Sequence, residues 1–184
     1  MIKMGEIQQC LVLIKPDGLV KSLTGNIITC LSETKAKIVG AKIISVSKEL
    51  AEAHYSELKQ RLSKKWGEEK GQEIFESVLK YIMGEYHTNR VMALVYEGVD
   101  CINKIRKIAG NTNPEDADPT TIRGKYGRIN SKTNVFENVI HVSDSEEEAK
   151  KEIELWFEPE ELVNVIYPTK KENVCMDKIV WAND

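Results

Sequence analysis

With 184 residues, the chain has room for one domain with a sizeable core and too little for two. Its 26 basic and 29 acidic residues leave a net charge of −3 with no basic block, which argues against a dedicated nucleic-acid surface. No segment approaches the roughly 20 apolar residues of a membrane span, no signal-peptide run opens the chain, and four scattered cysteines form no CxxC pair. A cytoplasmic protein with no membrane contact, no disulfide framework and no protein-held metal is therefore expected.

Cys10 to Ile14 is continuously apolar, which predicts a strand covered on both faces and ended by Pro16 and Gly18. Ile27, Ile28 and Leu31 stand at helical spacing within 25–35, and the Ile- and Val-rich stretch 36–46 reads as a second strand. Ser47 is placed to cap a helix with Ala51, Tyr55, Leu58 and Leu62 along one side. Residues 64–71, charged and punctuated by glycine, read as an exposed loop. Ile74, Phe75, Val78, Leu79 and Ile82 then mark another amphipathic helix. Residues 91–96 form a third buried strand, and Ile102, Ile105, Arg106 and Ala109 fall on one face of the helix after it. Residues 110–137 show no sustained period, and a loop of that length inside a compact domain is functional or disordered. A fourth strand at 138–142 and a helix at 146–157 complete an α+β order in the split βαβ manner, one sheet with helices packed on it. A polar tail follows over 164–184.

The stretch Asn138-Val-Ile-His-Val-Ser-Asp-Ser145 carries the most chemistry. His141 sits at the end of an apolar strand, before a turn in which Ser145 and Glu148 suit a capping box. In the helix behind it, Ala149, Glu152, Ile153, Trp156 and Phe157 form the buried stripe, so a carboxylate lies on an apolar face. Such a group is expensive unless paired. His141 is near enough to be its partner: a carboxylate on one ring nitrogen fixes the tautomer and leaves the other nitrogen nucleophilic. Spacing alone leaves open that Glu152 reaches solvent at the edge of the stripe and that His141 is a satisfied half-core residue. Arg106, on the inner face of its helix, also needs an anion. With Thr112, Arg123, Lys125 and Arg128 among Gly124 and Gly127, it suggests a phosphate cradle built from side chains rather than a Walker motif. An ordinary polar loop with surface ion pairs is the alternative. Lys15 is either a third phosphate ligand or a solvated strand end, and His54 and His87 read as surface or capping residues.

Taken in order, Lys15-Pro-Asp-Gly18, His54-Tyr55, Thr112-Asn-Pro114, Thr121-Ile-Arg-Gly124 and Asn138 to Ser145 resemble the nucleoside diphosphate kinase family. Glu152-Ile-Glu-Leu-Trp-Phe157 and Pro159-Glu-Glu-Leu162 are similar to it as well, so the resemblance runs from Cys10 to Val163 and implies a kinase domain over 1–163 with 164–184 as its tail. It implies ping-pong transfer of a γ-phosphate from a nucleoside triphosphate to a diphosphate, with His141 phosphorylated, Glu152 orienting it and Ser143 supporting Glu152. Lys15, Tyr55, Arg106, Thr112 and Arg123 would hold the phosphates, and Asn138 with Lys15 the ribose hydroxyls. Mg2+ would be carried mainly by the nucleotide, with Asp144 at most a water-mediated contact. The implied fold is a ferredoxin-like antiparallel four-stranded sheet, assembled into a homo-oligomer, a hexamer in preference to a tetramer. A catalytically silent nucleotide-binding or scaffold member is the alternative; its signature would be a missing nucleophile or phosphate ligand, and every one is present.

The chain departs from the family pattern in several places. Val142 puts a branched side chain beside the nucleophile where a small residue is usual. Thr120 replaces a glycine, and Lys125 an acidic residue. The stretches 61–79 and 124–138 are longer than typical. Where the family carries an aromatic pair whose first ring stacks on the nucleobase, this chain has Ile74-Phe75, leaving Ile74 as the platform unless Phe75 or Trp66 substitutes.

Overall fold

The chain is described from a computed structural model over residues 6–133 and 135–173; tail residues Cys175, Ile179 and Trp181 lie outside the described residues. From the N-terminus come β1 (Ile7–Ile14), α1 (Pro16–Val20), α2 (Thr24–Ser32), β2 (Lys37–Ile44), α3 (Lys48–His54), α4 (Ser56–Trp66) and α5 (Glu68–Ile82). Then follow β3 (Val91–Val99), α6 (Cys101–Ala109), α7 (Ile122–Tyr126), β4 (Arg128–Ile129), β5 (Phe136–Glu137), β6 (Ile140–Val142) and α8 (Glu146–Trp156). The main sheet runs β2-β3-β1-β6 with every neighbouring pair antiparallel. β3 thus lies between β1 and β2, and β1 between β3 and β6. Two interlocked split βαβ units make this the ferredoxin-like α+β fold.

Because successive strand residues point to opposite faces, β1 feeds two cores at once. Cys10, Val12 and Ile14 pack with α2 and α6, while Leu11 and Leu13 pack with α3, α5 and α8. That double burial is why β1 is apolar without alternation. The same parity operates in β6, where Ile140 and Val142 join the first core and His141 turns to the other face. Val142 is therefore a core residue and does not crowd the histidine. Among the described cysteines, Cys10 and Cys101 are buried and Cys30 half-buried, all as free thiols.

Three elements differ from the expected ones. The helix expected after Ser47 is two helices, broken at Tyr55, whose φ of −101° and ψ of 21° leave the helical region. Residues 64–71 are helical except for Gly67, since Lys and Glu are good helix formers and only the positive φ of 82° at Gly67 interrupts them. The resulting α4–α5 hairpin is tight: a Cβ on Gly71 would lie 2.7 Å from the Ser63 amide nitrogen. Finally, 110–137 holds a 3₁₀ turn at Pro114–Asp116, α7, and a small β4–β5 hairpin. These elements are too short to show a period. Past Val163, Ile166 and Tyr167 still pack against the second core.

Candidate active site

The site forms where β6 ends against β1 and α8 returns across the same face. Leu13 pairs with His141 in register, and the Ser143 amide donates to the Leu11 carbonyl at 3.1 Å. Ser145 caps α8 by accepting from the Glu148 amide, which fixes the turn between strand and helix. Glu152, two turns into α8 on its buried side, then faces back to the strand. Its Oε1 lies 2.7 Å from His141 Nε2, and its Oε2 accepts the Ser143 hydroxyl at 2.6 Å.

The electrostatics set the protonation. Burial first, then the charges of Lys15, Arg123 and Arg106, hold the His141 pKa well below its usual value, so its imidazole is neutral near pH 7. Burial raises the Glu152 carboxyl, while His54 and Ser143 oppose that rise. With Glu152 accepting at Nε2, the ring proton stays there and the lone pair belongs to Nδ1.

Three of the expected phosphate and ribose ligands are linked. Lys15 Nζ donates to Asn138 Oδ1 at 2.8 Å, and Asn138 Nδ2 donates to the Thr112 carbonyl at 2.8 Å. Desolvation, with Arg123 nearby, lowers Lys15 to about 8. Arg123 is buried at the start of α7, where Thr121 caps the helix. Its two terminal nitrogens donate to the Gly110 and Ile140 carbonyls, and its Nε–H has no partner among the described residues. An unmet donor in that position suits an arriving anion.

Other residues lie differently from the expectation. Arg106 is not on the inner face of α6: Cys101, Ile102, Ile105 and Ala109 form that face, while the Arg106 side chain is 44% exposed and pairs with Asp144. Helical rotation explains this, since the fourth residue after Ile102 overshoots a full turn and falls at the edge of the stripe. Lys125 is exposed, and Arg128 turns away to a separate network. Phe75 is buried in the second core with Lys59 over its ring, so it is no base platform; Ile74 beside it is half-buried. Tyr55 is half-buried, its ring 4.7 Å from that of His54.

His54 is neither a surface nor a capping residue. Its side chain is only 1% exposed. Nδ1 accepts the Trp156 indole N–H at 3.2 Å, and its ring stands edge-on to His141 with centroids 4.6 Å apart. Burial pushes it down to about 3, so it is neutral. Its position three residues after the buried Ala51 was the available signal. His54, His141 and Glu152 offer ligand atoms within 4.8 Å of one another. Trp156 occupies His54 Nδ1, however, and His141 and Ser143 occupy Glu152. The nitrogen-rich cluster is also poorly suited to magnesium, which takes oxygen ligands.

A family model described as nucleoside diphosphate kinase matches residues 8–162. The chain is similar to the nucleoside diphosphate kinase of Pyrococcus furiosus, 40% identical over 94% of this chain and 100% of the relative. Among solved structures it is similar to a nucleoside-diphosphate kinase of Borrelia burgdorferi captured as a transition-state mimic with vanadate and ADP. That likeness has a TM-score of 0.73 and 33% identity over 89% of this chain and 93% of that one. A Halobacterium salinarum nucleoside diphosphate kinase in complex with CDP matches with a TM-score of 0.70 and 34% identity, covering 86% and 93% of the two chains.

Proposed function

The chain belongs to the nucleoside diphosphate kinase family, and we propose that His141 is the residue through which it passes the γ-phosphate from a nucleoside triphosphate to a nucleoside diphosphate. The observation that carries the assignment is the His141 Nε2 contact with Glu152, which leaves a neutral Nδ1 lone pair within the field of three cationic side chains. In the first half-reaction Nδ1 attacks the γ-phosphorus, and the bond to the bridging oxygen breaks, releasing a nucleoside diphosphate. In the second, a terminal oxygen of the incoming diphosphate attacks the same phosphorus, and the P–N bond breaks. Nε2 keeps its proton throughout. Glu152 steadies the positive charge of the phosphorylated ring, and Ser143 holds Glu152 in place.

Lys15, Arg123 and Arg106 neutralise the phosphates, with Tyr55 and Thr112 completing their ligands, and Asn138 with Lys15 holds the ribose hydroxyls. Arg106 exchanges Asp144 for phosphate as the nucleotide arrives. Magnesium enters on the nucleotide, where it shields phosphate charge; the exposed Asp144 carboxylate is a fitting acceptor for one of its waters. The vanadate and ADP bound by the Borrelia relative and the CDP bound by the Halobacterium relative support a site that takes both base classes. Ile74 serves as an aliphatic base platform. We further read residues 1–163 as the kinase domain, the location as cytoplasmic, and the assembly as a homo-oligomer, a hexamer in preference to a tetramer. The exposed Ile38 and Ile43 on edge strand β2 support association. No helix among the described residues is long and apolar enough to cross a membrane.

The test is direct. Incubation with γ-labelled ATP and magnesium gives a stoichiometric phosphoenzyme, labile to acid and stable to alkali. His141→Ala loses both label and transfer; near-wild-type turnover in that variant would refute the assignment.

A further inference from the structure

We propose that Glu137 is a positioning residue for nucleotide binding, its buried carboxylate accepting hydrogen bonds from two separate stretches, at Lys21 and at Arg128–Asn130, and tying them to the chain that carries Asn138. The Glu137 side chain is 1% exposed at the end of β5. Its Oε2 accepts from Arg128 Nε at 2.6 Å, across the β4–β5 hairpin, and from Lys21 Nζ at 3.3 Å, just after α1. Its Oε1 accepts from Asn130 Nδ2 at 2.7 Å and lies 3.2 Å from His87 Nε2, in the segment before β3. Burial alone would raise this carboxyl, but the hydrogen bonds from Arg128, Asn130 and Lys21 outweigh it and hold it at about 2. The group is thus a charged anchor at any pH where the enzyme works.

What it anchors is the turn into the site. The next residue, Asn138, binds Lys15 and the Thr112 carbonyl. Val139 has a φ of 57°, a conformation that a β-branched residue resists. Downstream, the turn is held by Asp17, whose Oδ2 accepts the Val139 amide at 3.1 Å, and by the Lys15 amide, which donates to the Val139 carbonyl at 2.9 Å. Upstream, Glu137 holds it. Without that hold, the turn relaxes and Asn138 no longer presents its amide to Lys15. His141 lies beyond the Asp17 anchor, on a strand paired to β1, and is insulated from the change.

This inference rests on Asn138 and Lys15 holding the ribose, so the experiment separates the two. Steady-state KM and kcat are measured with ATP as donor and GDP as acceptor for wild type, Glu137→Gln, Arg128→Ala and Asn138→Ala. Phosphorylation of His141 by phosphoramidate, a donor with neither sugar nor base, is measured in parallel. Glu137→Gln should raise KM for both nucleotides roughly 5–20-fold, the loss expected when charged hydrogen bonds are weakened. Its kcat and its phosphoramidate rate should stay within about 2-fold of wild type. Arg128→Ala, altered at the exposed end of the network, should raise KM in the same direction by less, and carries the test if Glu137→Gln does not fold. Nucleotide and phosphoramidate reactions slowing together would overturn the proposal, because the damage would then have reached His141. Unchanged KM in both Glu137→Gln and Arg128→Ala, beside a raised KM in Asn138→Ala, would overturn it alone. Unchanged KM in Asn138→Ala would remove the ribose reading beneath it.

Discussion

The corner where β6 meets α8 and the hairpin of α4 and α5 are built on opposite plans. In the corner, polar groups are buried and each is held: His141 by Glu152, Glu152 by Ser143, Asn138 by Lys15 and Thr112. In the hairpin, α4 buries no residue at all, its side chains are mostly polar, and Trp66 stands 54% exposed at its tip. A group that forms or breaks a covalent bond must be fixed within a fraction of an ångström, which needs interlocked neighbours. A surface that grips a base of any kind needs area more than exact placement, and so tolerates inserted residues and substitutions. The chain's departures from its family at Ile74 and Trp66 fall in the second region. Those near the first, Val142 and Lys125, point into the core or into solvent.

The contrast can be broken most severely at Arg123. Its guanidinium already bridges two carbonyls with two nitrogens, and a lysine cannot reproduce that planar fork. Arg123→Lys is expected to lower kcat/KM at least ~10-fold, about 1.4 kcal/mol of transition-state stabilisation. An unchanged value would show that the corner is less exacting than its hydrogen bonds imply.

On the hairpin, changes should be smaller and confined to affinity. Ile74→Phe should lower KM for ATP, GTP and CTP alike by roughly 3- to 10-fold, the low end of base–aromatic stacking, with kcat little changed. Trp66 lies beyond the start of α5, roughly 10 Å along the helix from Ile74, too far for one base to touch both. Trp66→Ala should therefore leave all three KM values unaltered. If it weakens all three while Ile74→Phe does nothing, the tip rather than α5 supplies the platform.

The mildest expectation is an absence of change with pH, and it sharpens the picture of the corner. Because the His141 pKa is held below its usual value, acidification through about pH 6.5 should leave the rate of phosphoenzyme formation flat, where an unshifted histidine would lose half its nucleophile. On the alkaline side, free Lys15 loses its proton near 8, so kcat/KM for ATP should fall above that pH while kcat, measured on the bound complex, holds longer. A decline in phosphoenzyme formation centred at pH 6.5 would mean that neither burial nor the cations around His141 lower its pKa.

Much of this corner is legible in the amino-acid sequence. An acid on the apolar stripe of α8 and a histidine at a strand end are local patterns, and cost arguments suffice to pair them. The topology was legible too, because β1 declares its double burial by the absence of alternation. What local pattern could not show was packing between distant segments. His54 looked like a surface residue because nothing near it in sequence reveals that Trp156 of α8 covers it. Glu137 looked like part of a polar loop because its partners come from residues 21, 87, 128 and 130. Arg106 was misplaced by one step around the helix, an error that period counting makes at the edge of a stripe. The 64–71 segment has the charge and glycine of a loop, but its Lys and Glu continue the helices and Gly67 alone interrupts them.

The pairing of the first strand with the last has a consequence for how the molecule comes to exist. Ser143 bonds Leu11 across 132 residues, and His141 is aligned by Leu13. Contacts of such long sequence separation form slowly, after loop closure has been met by the rest of the sheet. During synthesis, β1 emerges with one edge bare and waits for nearly the whole chain before β6 can cover it, an interval in which an apolar edge invites wrong partners. The proposed nucleophile is thus expected to be set in place late in folding. In a refolding experiment, competence to accept phosphate would appear with the slowest phase and report completion of the sheet rather than the earlier gain of helix.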